Sequence, residues 1–239
     1  MKIALIGYGK MGHEVETAAL ARNHQIVLTI NNDNQGDLTY ENISRADVAI
    51  EFSTPHTAFQ NIKTCLEAGV PIVVGTTGWL DRLEEAKGIA QKGNASLFYA
   101  SNYSIGVNIL FRVTKILSTY LNSVKGYAPA IKEIHHTQKL DAPSGTAISL
   151  AQIVSESIDE INGWTLLPQK ESNKIPIEAV RVANVPGTHS LTFDSLQDEI
   201  ILVHRAKSRQ GFALGAVLSA EFLIGKRGFF TMEDLLTFE

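Results

Sequence analysis

Apolar and polar positions along this chain change rhythm once, near residue 127. Before that point, short apolar runs at 1–6, 25–30, 47–52, 72–74 and 96–100 read as strands. Between them lie segments whose apolar residues recur every third or fourth position, as Val15, Ala18, Ala19 and Leu20 do, and which read as helices; others are expected at 80–92 and 105–120. Strand and helix alternating in this way predict an open parallel sheet. After residue 127, extended runs at 130–136, 177–182, 188–193 and 199–204 follow with one helix at 145–157. Strands in succession imply a mixed or antiparallel sheet and therefore a second domain. Residues 158–175 are polar, with Gly163, Pro168 and Glu171-Ser172-Asn173-Lys174, and read as a long exposed loop. A last amphipathic helix at 211–223 is expected to return to the first domain and pack with Phe229, Phe230, Leu235 and Leu236. The sequence contains no repeats or low-complexity segment.

Composition narrows the class of protein. At 239 residues the chain is long enough for one large domain or two small ones, and 44% apolar with 19% charged residues is an ordinary soluble composition. A net charge of −4 argues against a nucleic-acid partner, and no basic cluster is present to hold a membrane surface. Cys65 stands alone, which excludes an internal disulfide and fits a reducing compartment; its setting is that of a helix core position. The chain is expected to enter a strand at once, without a signal peptide, and no apolar stretch approaches the roughly 20 residues that span a bilayer. These features predict a cytoplasmic protein with a small-molecule ligand.

The first strand runs into Gly7-Tyr8-Gly9-Lys10-Met11-Gly12 and then a helix. This is the G-x-G-x-x-G turn of a dinucleotide-binding unit: Gly7 permits the tight turn, Gly9 lets backbone approach a pyrophosphate, and Gly12 lets the helix sit close to its strand. The acid that grips the adenosine ribose is expected after the second strand, yet the chain reads Asn31-Asn32-Asp33, which leaves NADH and NADPH both open. Three further turns, Ser53-Thr54-Pro55, Gly75-Thr76-Thr77-Gly78 and Ser101-Asn102-Tyr103-Ser104, fall at carboxyl ends of strands, where ligands of parallel sheets gather. Backbone groups beside Thr77 suit a nicotinamide carboxamide. Each turn taken singly also reads as an ordinary connection.

The densest chemistry lies at 133–147, Glu-Ile-His-His-Thr-Gln-Lys-Leu-Asp-Ala-Pro-Ser-Gly-Thr-Ala. His135 and His136 offer proton donors and Lys139 a fixed positive charge. Ser144-Gly145-Thr146 open a helix whose unpaired N–H groups make an anion seat. A lysine opposite that seat suggests a small dicarboxylate, with a reactive centre in reach of an imidazole. A Ser-Gly-Thr seen alone is most often only a helix cap. Adjacent strand histidines point to opposite faces, so one of the two faces a site unless the backbone breaks. No metal is expected, because the pair lacks a recognisable ligand spacing.

The segment Glu133-Ile-His-His-x-x-Lys139-x-Asp-Ala-Pro-Ser-Gly-Thr-Ala147 resembles the signature of the 4-hydroxy-tetrahydrodipicolinate (dihydrodipicolinate) reductase family, of the diaminopimelate route to lysine. The likeness extends in order through Gly7 to Gly12, Glu51-Phe52-Ser53, Gly75 to Gly78, Ser101 to Ser104, Arg181-Val182, Gly187-Thr188-His189 and His204-Arg205-Ala206. It implies an α/β protein: a Rossmann-type dinucleotide-binding domain from 1–104 plus 212–239, and an α+β domain of mixed sheet, 105–211, that binds substrate and forms a homotetramer. By the same resemblance His135 is the proton donor and Lys139 faces substrate, while His136, Ser144, Gly145 and Thr146 hold the dicarboxylate. Gly7, Lys10, Met11 and Gly12 match the pyrophosphate turn, and Phe52, Gly75, Thr77, Ser101, Asn102 and Tyr103 the surroundings of ribose and nicotinamide. Two departures are the missing acid after the second strand and a short loop after the helix at 145–157. Hydride transfer requires its carbons at roughly 3–3.5 Å, so closure of the two domains is expected. Aspartate or homoserine dehydrogenases and a non-catalytic dinucleotide sensor would share the first domain, but have no use for the His-Lys-Ser-Gly-Thr corner.

Overall fold

Ile3, Ala4, Leu5 and Ile6 are all buried, so neither face of the first strand meets water and both must be covered. The computed structural model, which describes residues 1–208 and 210–237, covers them with helices. In chain order the elements are β1 (Lys2–Ile6), α1 (Lys10–Ala21), β2 (Gln25–Ile30), α2 (Tyr40–Ile43), β3 (Val48–Glu51), α3 (Pro55–Glu67), β4 (Ile72–Val74), α4 (Leu83–Gly93) and β5 (Ser96–Tyr99). They continue as α5 (Ile105–Val124), β6 (Ala128–His135), α6 (Gly145–Ser157), β7 (Trp164–Leu166), β8 (Ile175–Arg181), β9 (Gly187–Asp194) and β10 (Glu199–Ala206). The last are α7 (Gln210–Leu223), β11 (Gly228–Phe230) and α8 (Met232–Leu235). Two compact units result, Met1–Ile105 with Gln210–Glu239, and Gly106–Arg209. The chain crosses between them at 105/106 and 209/210, where the sequence reading put 104/105 and 211/212.

In the first unit six parallel strands lie in the order β11-β5-β4-β3-β1-β2. Side chains alternate along a strand, and β1 feeds two cores accordingly. Ala4 and Ile6 pack with Ala58, Ile62, Cys65 and Leu66 of α3 and Ala86 and Ala90 of α4. Ile3 and Leu5 pack on the other face with Val15 and Ala19 of α1 and Ala213, Ala216, Val217 and Ala220 of α7. Strand β11 went unread as a strand, and it divides the carboxyl-terminal aromatics. Phe230, Leu235 and Leu236 join the α7 side as expected, whereas Phe229 turns to the α4 side, because neighbours on a strand face oppositely. The segment expected as one helix over 80–92 is a 3-10 turn (Leu80–Arg82) leading into α4.

The second unit is a five-stranded sheet in the order β10-β9-β6-β8-β7, antiparallel on the β9 side of β6 and parallel on the β8 side. Its core joins Ala147, Leu150, Ala151 and Val154 of α6 to Ile131, Ile177, Leu191 and Phe193 of the sheet. The exposed loop expected over 158–175 is corrected here: Trp164–Leu166 pair with β8, with Trp164 opposite Ile175 and Leu166 opposite Ile177, and Ile158 and Thr165 are buried. Three residues are too few for a period to show, and the partner that makes them a strand lies beyond the loop. Register also lays Glu133, His189 and His204 in one row across β6, β9 and β10. Beside them, His135 stands opposite Arg181 of β8.

Candidate active site

Glu133 and His135 are two residues apart on β6 and so project to one face, where both are buried. Glu133 Oε2 contacts His135 Nδ1, and its other oxygen accepts from Arg181 Nη2 at 3.0 Å and from the Ser144 backbone N–H at 3.3 Å. His189 stands across the strand gap, its ring centroid 5.0 Å from that of His135 and its Nε2 3.1 Å from Ser144 Oγ. His136 follows the end of β6 and is half-buried. Lys139 Nζ reaches both carboxylate oxygens of Asp141 at 2.8 Å. Arg181 closes the ring of contacts, donating from Nε to the Lys139 carbonyl at 3.3 Å and from Nη2 to the Asp141 carbonyl at 2.7 Å.

The helix start looks two ways. Ser144 caps α6 and is buried, with Oγ accepting from the Ala147 N–H at 3.3 Å, so its hydroxyl and its own N–H are both engaged inside the unit. Gly145 is exposed and Thr146 half-buried, and these two carry the outward part of the turn. Glu133, His135 and His189 also bring three potential metal-ligand atoms within 4.8 Å of one another. Arg181 already takes the same carboxylate, and a divalent ion there would stand beside a guanidinium with one carboxylate between them.

Burial shifts this cluster's titrations in a testable direction. Burial first, then the nearby charge of His135, lowers the His189 pKa from 6.5 to about 4. At Glu133 burial pushes upward, but contact with His135 and Arg181 outweighs it and holds the carboxyl at about 2. Both groups therefore bind fewer protons folded than unfolded. The stability these two groups contribute is complete above about pH 6.5, falls as unfolded His189 protonates between 6.5 and 4, and falls further through Glu133 between 4.5 and 2. Urea unfolding should show a loss on the order of 3 kcal/mol between pH 7 and 4 from His189. His189→Gln, which keeps a partner for Ser144, should remove that slope, and an unaltered slope in this variant refutes the assignment.

In the first unit the turn after β1 is shaped by crowding. Gly7 has φ +90°, and a Cβ there would stand 2.0 Å from the Phe52 carbonyl oxygen, so no other residue fits. A Cβ at Gly75 would meet the Phe52 ring at 2.0 Å, so only glycine lets that ring pack against the β4 turn. At Gly9 a Cβ would meet nothing within 4 Å, so the backbone there faces open space. That space is a cavity of about 240 Å³ lined by Gly7, Tyr8, Gly9, Asn31, Asn32, Gln35, Phe52, Ser53, Thr54 and Asn61, with Ile6 and Ile30 behind them. None of these carries a charge.

The other expected cofactor residues, Lys10, Met11, Gly12, Gly75, Thr77, Ser101, Asn102 and Tyr103, are not among the residues that line this cavity. Lys10 opens α1 on the surface, Met11 is half-buried and Gly12 buried against Gly7; Thr77 and Ser101 are exposed. Asn102 is half-buried and accepts from the Ser104 N–H at 2.9 Å. Tyr103 is buried, its hydroxyl donating to the Val74 carbonyl at 2.7 Å and its ring edge-on to Phe52. Its side chain braces the wall instead of facing the cavity. Asn31 folds its own turn, its Oδ1 accepting from Asp33 and Asn34, and Asp33 lies outside the lining. Beneath the wall, fully buried Glu51 accepts from the Ser53 N–H at 3.1 Å, and the same N–H reaches Thr76 Oγ1 at 2.8 Å. Burial raises the Glu51 carboxyl above its usual range, against those hydrogen bonds. Glu133, Arg181, His189, Gly187 and Glu51 join the expected site residues in the structure. Alternation from His135 points to Glu133, whereas the others depend on long-range pairing.

Comparison with known proteins agrees with this layout. The dihydrodipicolinate reductase amino-terminus family model matches residues 1–103, and the carboxyl-terminus model matches residues 106–236. The chain belongs to the dihydrodipicolinate reductase family. A 4-hydroxy-tetrahydrodipicolinate reductase of Christiangramia forsetii is 48% identical over 99% of this chain and 98% of its own. One from Staphylococcus carnosus is 34% identical over 98% and 99%. Among solved structures, a dipicolinate-bound dihydrodipicolinate reductase from Paenisporosarcina sp. TG-14 shares the fold at TM-score 0.83, 24% identity and 99% of both chains. Dihydrodipicolinate reductases are oxidoreductases, and the Rossmann-type first unit is their dinucleotide-binding half.

Proposed function

We propose that this chain reduces 4-hydroxy-tetrahydrodipicolinate, by way of dihydrodipicolinate, to tetrahydrodipicolinate with NADH or NADPH, in the cytoplasm. The observation that carries the reading is the convergence of His135, Lys139 and the α6 start on one corner of the second unit, in a chain whose first unit holds an uncharged cavity at a Gly-rich turn. Overall, one water leaves the substrate, and one hydride and one proton are added. The reduced nicotinamide supplies the hydride. His135 supplies the proton that quenches the negative charge the hydride addition leaves spread toward the ring nitrogen. Lys139 takes one carboxylate. Its bond to the largely exposed Asp141 (60%) is a surface pair of small net worth, so a substrate carboxylate displaces it readily. Gly145 and Thr146, at the positive end of α6, receive the other carboxylate together with His136.

The amide lining contributed by Asn31, Asn32 and Gln35 offers a ribose hydroxyl partners and offers a 2′-phosphate no cation. NADH should therefore serve at least as well as NADPH. A homotetramer is part of the same reading, supported by the sheet face turned away from the Glu133 row, where Ile201 (49%) and Val203 (46%) are exposed on β10. Among the described residues no helix is long and apolar enough to cross a membrane. A coupled assay with dihydrodipicolinate synthase, pyruvate and aspartate semialdehyde tests the activity by loss of absorbance at ~340 nm. Consumption of NADH at a kcat/KM no lower than with NADPH is expected, with four chains per particle by sedimentation. No consumption of either cofactor refutes the activity.

A further inference from the structure

We propose that Glu133 is the positioning residue of this site: its carboxylate keeps the proton of neutral His135 on Nδ1 and steadies the imidazolium, so that Nε2 is the atom that gives its proton to substrate. The proposal rests on His135 being the acid, as argued above. Glu133 is fully buried, and Arg181 and the Ser144 N–H occupy one of its oxygens, leaving the other for His135 Nδ1. A carboxylate held ionised by a guanidinium has no proton to offer, so the contact forms only with Nδ1 as donor. A Cβ on Gly187 would stand 3.0 Å from His135 Nε2, so glycine at that position keeps the approach clear.

The groups facing His135 are few and differ in charge. Glu133 comes from its own strand, Arg181 from β8, His189 from β9, Lys139 and Asp141 from the following loop, and His204 from the end of the row on β10. His189, kept neutral, cannot be the acid near neutral pH and does not repel a protonated His135. The same Glu133–Arg181 pair also fixes the Lys139 and Asp141 carbonyls, so proton donor and cation are set from one anchor. A buried carboxylate behind an imidazole orients it and stabilises its charged form.

Glu133→Gln keeps an acceptor and removes the charge. The variant should lose about tenfold or more in kcat at pH 8 and recover toward wild-type activity at pH 6. KM for the reduced nicotinamide should stay as in wild type. A Glu133 that served only to hold the loop would depress activity equally at every pH, and that result overturns the proposal. Nitrogen-15 NMR of the wild-type protein, with His135 assigned by its absence in His135→Asn, gives a readout independent of whether the Gln variant folds. The Nδ1–H tautomer is expected and the Nε2–H tautomer refutes the role. If His135→Ala turns over normally, the reading beneath fails; if that variant is impaired while Glu133→Gln keeps the wild-type profile, only the positioning role fails.

Discussion

Alanine at position 135 is expected to lower kcat by at least about tenfold, toward the ~10² to 10⁴ that a positioned acid contributes, while cofactor affinity is unchanged. The expectation follows from placement. His135 ends β6 beside the loop that carries Lys139, its Nδ1 is committed to Glu133, and the neighbouring imidazole, His189, is held neutral by burial. Among the described residues no other imidazole in that corner pairs with a carboxylate. The Gly7 cavity belongs to the other unit and contains no part of His135, so nicotinamide binding should not register the change. Steady-state kinetics with a fluorescence titration of NADH separates the two effects. Unchanged turnover removes His135 from the mechanism.

The sequence made the parallel half of the fold easy to read, because its strands are buried on both faces and each ends in a turn rich in Gly, Ser or Thr. β4 and α6 were legible to the residue for that reason, the first as an isolated apolar run and the second from a Ser cap followed by helical spacing. β7 and β11 were not. Each has three residues, and each becomes a strand only through a partner distant in sequence, β8 for one and β5 for the other. The site divides in the same way. His135, Lys139 and Ser144 lie within one short segment and announce themselves, and Glu133 follows from His135 by alternation. Arg181 lies 48 residues from Glu133, and Ser144 lies 45 from His189, so only strand register brings them together. The helix start shows the limit of motif reading. Ser144 was expected to face substrate, and the fold spends its hydroxyl and N–H on the cap, His189 and Glu133.

The dicarboxylate claim rests on Lys139, whose side chain is 22% exposed and whose ammonium is tied only to Asp141 among the described side chains. Replacing it by alanine removes a charge-assisted bond of about 1.5–3 kcal/mol, equivalent to roughly tenfold to a hundredfold in affinity. The loop should survive the change, because Arg181 holds it through the backbone carbonyls of residues 139 and 141 and not through the lysine side chain. Pyridine-2,6-dicarboxylate, the compound named in the Paenisporosarcina structure, is the direct probe. Calorimetric titration of wild type and Lys139→Ala with this compound, both saturated with NADH, tests the account at its centre. Saturable binding to wild type and a tenfold to hundredfold weaker Kd in the variant are expected, with NADH affinity equal in both. Equal affinity of the two proteins for the dicarboxylate, or none in wild type, would contradict it.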